Sequence, residues 1–157
     1  MVGYTARMLP STYETQDCSI ARTLEVVGER WTLLILRDAF RGVRRFDDFA
    51  DGLGIARNVL ARRLDSLCEA GILERRRYQD RPERSEYRLT QRGRDLWPVL
   101  TALRGWGDRH VAPQGPPVRI EHVSCGGMLD VHVHCDRCGD EVALRDARYV
   151  EAAAPAR

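Results

Sequence analysis

Three of the five cysteines in this chain fall, with one histidine, into a pattern that names a chemistry. His122-Val123-Ser124-Cys125-Gly126 and Cys135-Asp136-Arg137-Cys138-Gly139 share one shape: ligand, two residues, ligand, glycine. Two residues between ligands let a tight turn aim both at one ion, and the glycine permits the positive φ that follows. The spacing H-x2-C-x9-C-x2-C reads as a Cys3His site for Zn2+, with His122, Cys125, Cys135 and Cys138 as ligands. A closed four-ligand set implies a structural ion rather than a catalytic one. His132 and His134 are rival fourth ligands. Residues 128–133 and 142–144 could supply strands, giving a zinc-ribbon-like β module of about 30 residues, too small to fold on apolar burial alone. The alternative is three scattered cysteines in a strand pair docked on the rest of the chain. No water-activating carboxylate accompanies the cluster, so hydrolytic chemistry is not expected.

Arginine is the second chemical signal. Formal net charge is only +2, yet the stretch from Arg57 to Arg94 holds eleven Arg against six acids, a local net of +5. A basic segment inside a nearly neutral chain is the electrostatic footprint of a DNA-facing surface; the plainer reading is a solvated arginine-rich face. Cys18, just ahead of the first helical pattern, is the third. A helix N-terminus favours the thiolate, so Cys18 is a candidate redox sensor; the alternative is a small half-buried apolar residue.

The elements that must position these residues follow from apolar spacing. Ile20, Leu24 and Val27 predict a first helix that Gly28 interrupts, and Trp31, Leu34, Ile35 and Leu36 a second, ended at Arg41-Gly42. Residues 45–49 read as a short helix, Gly52-Leu53-Gly54 as a turn, and residues 56–70 as a helix buried through Leu60, Leu64 and Leu67, with Gly71 at its C-terminal end. On a helical wheel Asn58, Arg62 and Asp65 lie opposite that stripe. Residues 72–78 and 85–89 predict a hairpin around a charged loop, 79–84, whose length tolerates Pro82. Thr90 can cap a last helix carrying Leu96, Val99, Leu100, Leu103 and Trp106, with a kink or restart at Pro98. That wide stripe suits either the domain's own core or a partner helix.

This order of elements is a winged helix-turn-helix. The expected organisation is an arm over 1–16, a winged helix-turn-helix domain over 17–112, a linker over 113–117, the zinc-ribbon-like module over 118–150 and a tail over 151–157. The fold class is thus mostly α with a small β-hairpin wing, plus the C-terminal β module. Hydrophobic content of 43% supports a core, and 31% charged residues suit a folded body. The start of the chain lacks a basic and then apolar leader, and Leu33-Leu34-Ile35-Leu36 is too short an apolar run to span a bilayer. A cytoplasmic protein with no membrane partner is expected, and in a reducing compartment the cysteines are ligands or sensors rather than disulfides.

Cys18-Ser19-Ile20, the run Val27-Gly28-Glu29-Arg30-Trp31-Thr32-Leu33-Leu34-Ile35-Leu36, Arg45-Phe46, Gly54-Ile55-Ala56 and Leu60 with Arg63-Leu64 continue through Ala70-Gly71-Ile72-Leu73. Tyr78, Arg81-Pro82, Glu86-Tyr87-Arg88-Leu89-Thr90, Gly93 and Trp106-Gly107 complete the series. In that order they resemble the HxlR-type winged-helix regulators over residues 17–110. Ala56 stands where a hydroxyl residue is common, and Ser19 where Pro is common. The resemblance implies a bacterial transcription factor, usually a repressor and sometimes an activator, dimerising through the N-terminal helix and the long helix over 90–110. It also implies an oxidant or small-molecule effector in several members.

With double-stranded DNA as partner, phosphate contacts fall to Arg44 and Arg45 before the short helix and to Arg81 and Arg84 at the wing tip. Base readout falls to Arg57, Asn58 and Arg62, since Arg can grip guanine and Asn adenine bidentately. An apolar effector pocket lined by Trp97, Trp106 or Phe40 is a variant of the same reading. A protein-binding adaptor, with DNA contact secondary, is the competing class. An enzyme is not expected, because no nucleophile–base pair, phosphate-cradling loop or carboxylate pair stands at useful spacing.

Overall fold

A computed structural model describes residues 12–13, 16–81 and 83–150. The expected tail and most of the expected arm lie outside the described residues. Two compact units result, Met1–Leu100 and Thr101–Arg157. The boundary falls inside the last long helix, so residues 113–117, expected as the link between domains, lie within the second unit.

In the first unit the helices are α1 (Ser19–Val27), α2 (Thr32–Phe40), α3 (Phe46–Leu53) and α4 (Arg57–Glu69). The hairpin strands β1 (Leu73–Asp80) and β2 (Glu83–Leu89) follow, then α5 (Gln91–Arg94) and the start of α6 (Trp97–His110). The core gathers Val27, Ile35, Leu36, Phe49, Ile55, Leu60, Leu64, Leu67, Ile72, Leu73 and Tyr87. Leu60, Leu64 and Leu67 are all 1% exposed or less, as the three- and four-residue spacing on α4 requires. The α4 helix ends in a Schellman turn: Gly71, at φ +68°, donates to Cys68 O (3.0 Å) and Ile72 N to Leu67 O (2.9 Å). This turn aims the chain directly into β1.

The wing differs from expectation. Pairing runs from Leu73↔Leu89 to Asp80↔Glu83, with a register shift between Arg77 and Gln79. The anticipated loop over 79–84 is therefore mostly ladder. A bulge at Tyr78 absorbs the odd residue, twisting the strands while pairing continues to the tip. Arg44 O accepts from Tyr87 N (2.8 Å), and Arg45 forms a single antiparallel bridge with Glu86, so the segment before α3 lies along the hairpin.

Thr90 caps α5 as expected. Its Oγ1 accepts from Gly93 N (3.1 Å) and donates to Gly71 O (2.6 Å). Gly93 is held so close to the chain that a Cβ there would stand 2.2 Å from Ile72 O. The anticipated restart occurs at residues 95–96, which leaves Pro98 in the first turn of α6, where a missing N–H costs no helical bond.

In the second unit the rest of α6 precedes two small hairpins and a short 3-10 turn, Leu144–Asp146. Arg104 Nη2 donates to Leu129 O (3.2 Å) and Arg109 pairs with Asp130 (3.8 Å), tying this part of α6 to the first hairpin.

Candidate nucleic-acid interface and ligand set

The face of α4 opposite Leu60, Leu64 and Leu67 carries Asn58 and Arg62, both exposed. The Arg62 guanidinium has no hydrogen-bond or ion-pair partner among the described residues. Arg57 is differently placed. It pairs with Asp47 of α3 (2.6 Å) and lies over the Phe46 ring, 4.7 Å from its centroid. Asn58 Oδ1 accepts from Val59 N (2.9 Å). Asp65, expected on the open face with Arg62, reaches instead to Arg75 of β1 (2.6 Å). Arg75 also donates to the Tyr87 hydroxyl (3.0 Å). Burial pushes the Tyr87 phenol above its ordinary value, against the opposing pull of Arg75.

Around this face, Arg44 and Arg45 are exposed at the entrance to α3, and the Arg45 guanidinium lies 5.4 Å from the centre of the Tyr78 ring. Arg81 and Arg84 are exposed at the wing tip. Sequence reasoning missed the Arg45–Tyr78 platform, which joins residues far apart in the chain and depends on the bulge. Several of the segment's arginines are held in ion pairs: Arg63 with Glu29 (2.9 Å), Arg76 with Glu74 (2.6 Å), Arg77 with Asp80 (3.5 Å) and Arg88 with Glu86 (2.6 Å). What remains open on α4 is Arg62.

A helix-turn-helix followed by an arginine-tipped hairpin can be matched with known proteins. The HxlR-like helix-turn-helix profile matches residues 26–115. The HTH-type transcriptional regulator Rv3095 of Mycobacterium tuberculosis is 50% identical over 129 residues, covering 82% of both chains. The chain belongs to the HxlR-like helix-turn-helix family. It is a transcriptional regulator of helix-turn-helix type. Among solved structures, PA1607, described as a transcription factor, superposes with a TM-score of 0.80 at 37% identity over 88% of this chain and 98% of its own. The redox regulator HypR, in its oxidised form, superposes with a TM-score of 0.55 at 31% identity over 59% of this chain and 96% of its own. Among the described residues no helix is long and apolar enough to cross a membrane.

Two cysteines belong to the winged part of this HxlR-like chain. Cys18 is exposed at the N-cap of α1, in extended backbone, and its carbonyl accepts from Arg22 N (3.0 Å). Cys68 is half-buried in the last turn of α4. Burial pushes its thiol above the ordinary value, with Arg75 opposing, so little thiolate is available for chemistry.

The four expected metal ligands stand as two pairs. His122 Nδ1 lies 3.3 Å from Cys125 Sγ. Backbone N–H groups of Cys138 and Arg137, with the Cys138 side chain, bond to the Cys135 thiol and hold it below its ordinary value. Among the described residues no three His, Cys, Asp or Glu side chains are gathered around one point. The rival ligands are engaged elsewhere: His132 Nδ1 contacts Glu141 (2.7 Å), and His134 Nδ1 lies 3.2 Å from Gly139 O.

Proposed function

We propose that this regulator binds double-stranded DNA as a homodimer and represses transcription from a roughly palindromic operator. The observation that carries the reading is the open face of α4, where Arg62 and Asn58 are exposed on a helix whose other side is locked into the core. A helix so held can enter a major groove without unfolding, and Arg62 can take guanine O6 and N7 together. Arg57, already pinned by Asp47 and Phe46, sits at the first turn of the same helix, and Arg44, Arg45, Arg81 and Arg84 flank it as phosphate contacts.

Dimerisation is supported by apolar side chains left uncovered on α1 and α6. Ile20 is 72% exposed and Trp106 54%, with Leu24, Val99 and Leu103 also exposed. A second copy covering these faces would set two recognition helices for half-sites about 10–10.5 bp apart. Cys18 is the proposed oxidant-responsive thiol: it is exposed at the start of α1, within the same dimerising element, and the similar HypR is named a redox regulator.

Fluorescence-anisotropy titration against the chain's own upstream DNA and a scrambled duplex, over a salt series, tests the reading. Salt-sensitive binding with a strong preference for the upstream DNA is expected. Arg62→Ala should lower that preference by about 1–3 kcal/mol, roughly 5- to 150-fold. Equal loss on both duplexes would make Arg62 a phosphate contact, and absence of preference on any genomic fragment would favour the protein-binding adaptor.

A further inference from the structure

Residues 120–129 and 133–142 make the same backbone structure twice. In the first hairpin His122 N donates to Gly127 O (2.8 Å), Gly126 N to His122 O (2.8 Å) and Leu129 N to Ile120 O (3.0 Å). In the second, Cys135 N donates to Asp140 O (2.9 Å), Gly139 N to Cys135 O (2.9 Å) and Val142 N to Val133 O (2.8 Å). Each donor and acceptor of the first has its counterpart at the same offset in the second. Single bridges close both, Glu121↔Met128 and His134↔Glu141. In both turns a glycine follows the second ligand with positive φ, Gly126 at +70° and Gly139 at +77°. The first ligand, the second ligand and the glycine therefore occupy equivalent places in two copies of one turn.

The second observation is what these hairpins lack. From 118 to 150 every residue is exposed or half-exposed, and Val123, Leu144, Tyr149 and Val150 are largely in solvent. A segment of about 30 ordered residues forfeits roughly 1–2 kcal/mol of backbone entropy per residue, and here no buried apolar side chain offsets it. Small folds in this position rely on cross-links or metal ions.

We propose that residues 118–150 form a metal module in which one zinc ion, held by His122, Cys125, Cys135 and Cys138, serves in place of an apolar core. The donor set fits. Three thiolates and an imidazole suit a tetrahedral Zn2+, and nitrogen and sulfur ligands at about 2.0 and 2.3 Å are about 3.5 Å apart along a tetrahedral edge. The observed His122–Cys125 separation of 3.3 Å is close to that edge. The rival rings of His132 and His134 contact Glu141 (2.7 Å) and Gly139 O (3.2 Å). Because the donors stand two and two, binding includes the approach of one turn to the other, the coupling of folding to metal binding expected of small zinc modules. All four positions being protein ligands, the ion is structural and leaves no site open for a substrate.

The first test uses the full-length wild-type protein, purified reduced and without chelator. Elemental analysis is expected to find one zinc per chain, and Co2+ added to the stripped protein to give the visible bands of a tetrahedral ion with thiolate charge transfer. No stoichiometric zinc together with octahedral Co2+ would overturn the proposal. Ligand assignment is tested in the same titration. Cys138→Ser should lower the charge-transfer intensity by one thiolate's share, and His122→Ala should weaken Co2+ binding by an order of magnitude or more. A His132→Ala/His134→Ala double variant should bind as wild type. Full charge transfer in Cys138→Ser, or loss of binding in the double variant alone, would refute this ligand set. Neither test depends on DNA binding, so its outcome is separate from that of the operator assay.

Discussion

The winged helix and the C-terminal hairpins show two ways in which one chain can hold a backbone in place. In the first, Ile35, Leu36, Phe49, Leu60, Leu64 and Leu67 are all but fully removed from water, and turns and caps are fitted around them. In the second, order is local: twin turns, each closed by its own backbone hydrogen bonds, with no buried side chain from 118 to 150. Apolar burial is non-directional and accumulates with area, so many sequences can supply it. A turn that presents two ligands is directional, and it needs particular residues at fixed spacing. The lesson is that the first region should tolerate chemical change outside its core, while the second should depend on a few donors.

Metal removal should separate the two regions most sharply. With a strong chelator, amide hydrogen exchange at Gly126 and Gly139 is expected to lose its protection entirely, while amides of α2 and α4 keep theirs. Loss of protection in both regions at once would show that the C-terminal hairpins are needed by the winged helix, and the contrast would fail. Core truncation should act in the opposite sense. Leu64→Ala removes a fully buried side chain and should cost about 2–5 kcal/mol in urea unfolding followed by far-ultraviolet circular dichroism, leaving metal stoichiometry unchanged. Gly93→Ala tests the tight junction between wing and α5. With 2.2 Å between the new Cβ and Ile72 O, the backbone must shift, at a cost of about 1–3 kcal/mol in the same unfolding assay. The smallest effect is expected from Thr90→Ala, which removes the cap on Gly93 N and should cost about 1 kcal/mol. A Thr90→Ala loss well beyond that would mean that its bond to Gly71 O contributes more than the cap.

Much of the winged helix is legible in the sequence because its signals are periodic. Leu60, Leu64 and Leu67 repeat at helical spacing, and their burial places Asn58 and Arg62 on the outside by geometry alone. Gly71 and Thr90 mark element ends through chemistry local to a few residues. The wing tip is less legible, since whether residues 79–84 form loop or ladder depends on a one-residue register shift at Tyr78 that the local pattern does not encode. Which arginines stay open is also hidden. Arg57 and Arg62 are the same residue type on one helix, yet Arg57 meets Asp47 and Phe46 across the α3–α4 turn, while Arg62 meets no described partner.

By itself, then, the sequence determined the succession of helices, the hairpin, the family and the ligand spacing of the twin C-terminal turns, because periodicity, turn chemistry and donor type act over a few residues. Tertiary structure decided which charges neutralise one another, where the wing's register slips, and that Arg45 rests on Tyr78. Those outcomes depend on distances between residues remote in the chain, and such distances exist only once α4, the wing and the segment before α3 have packed around one core.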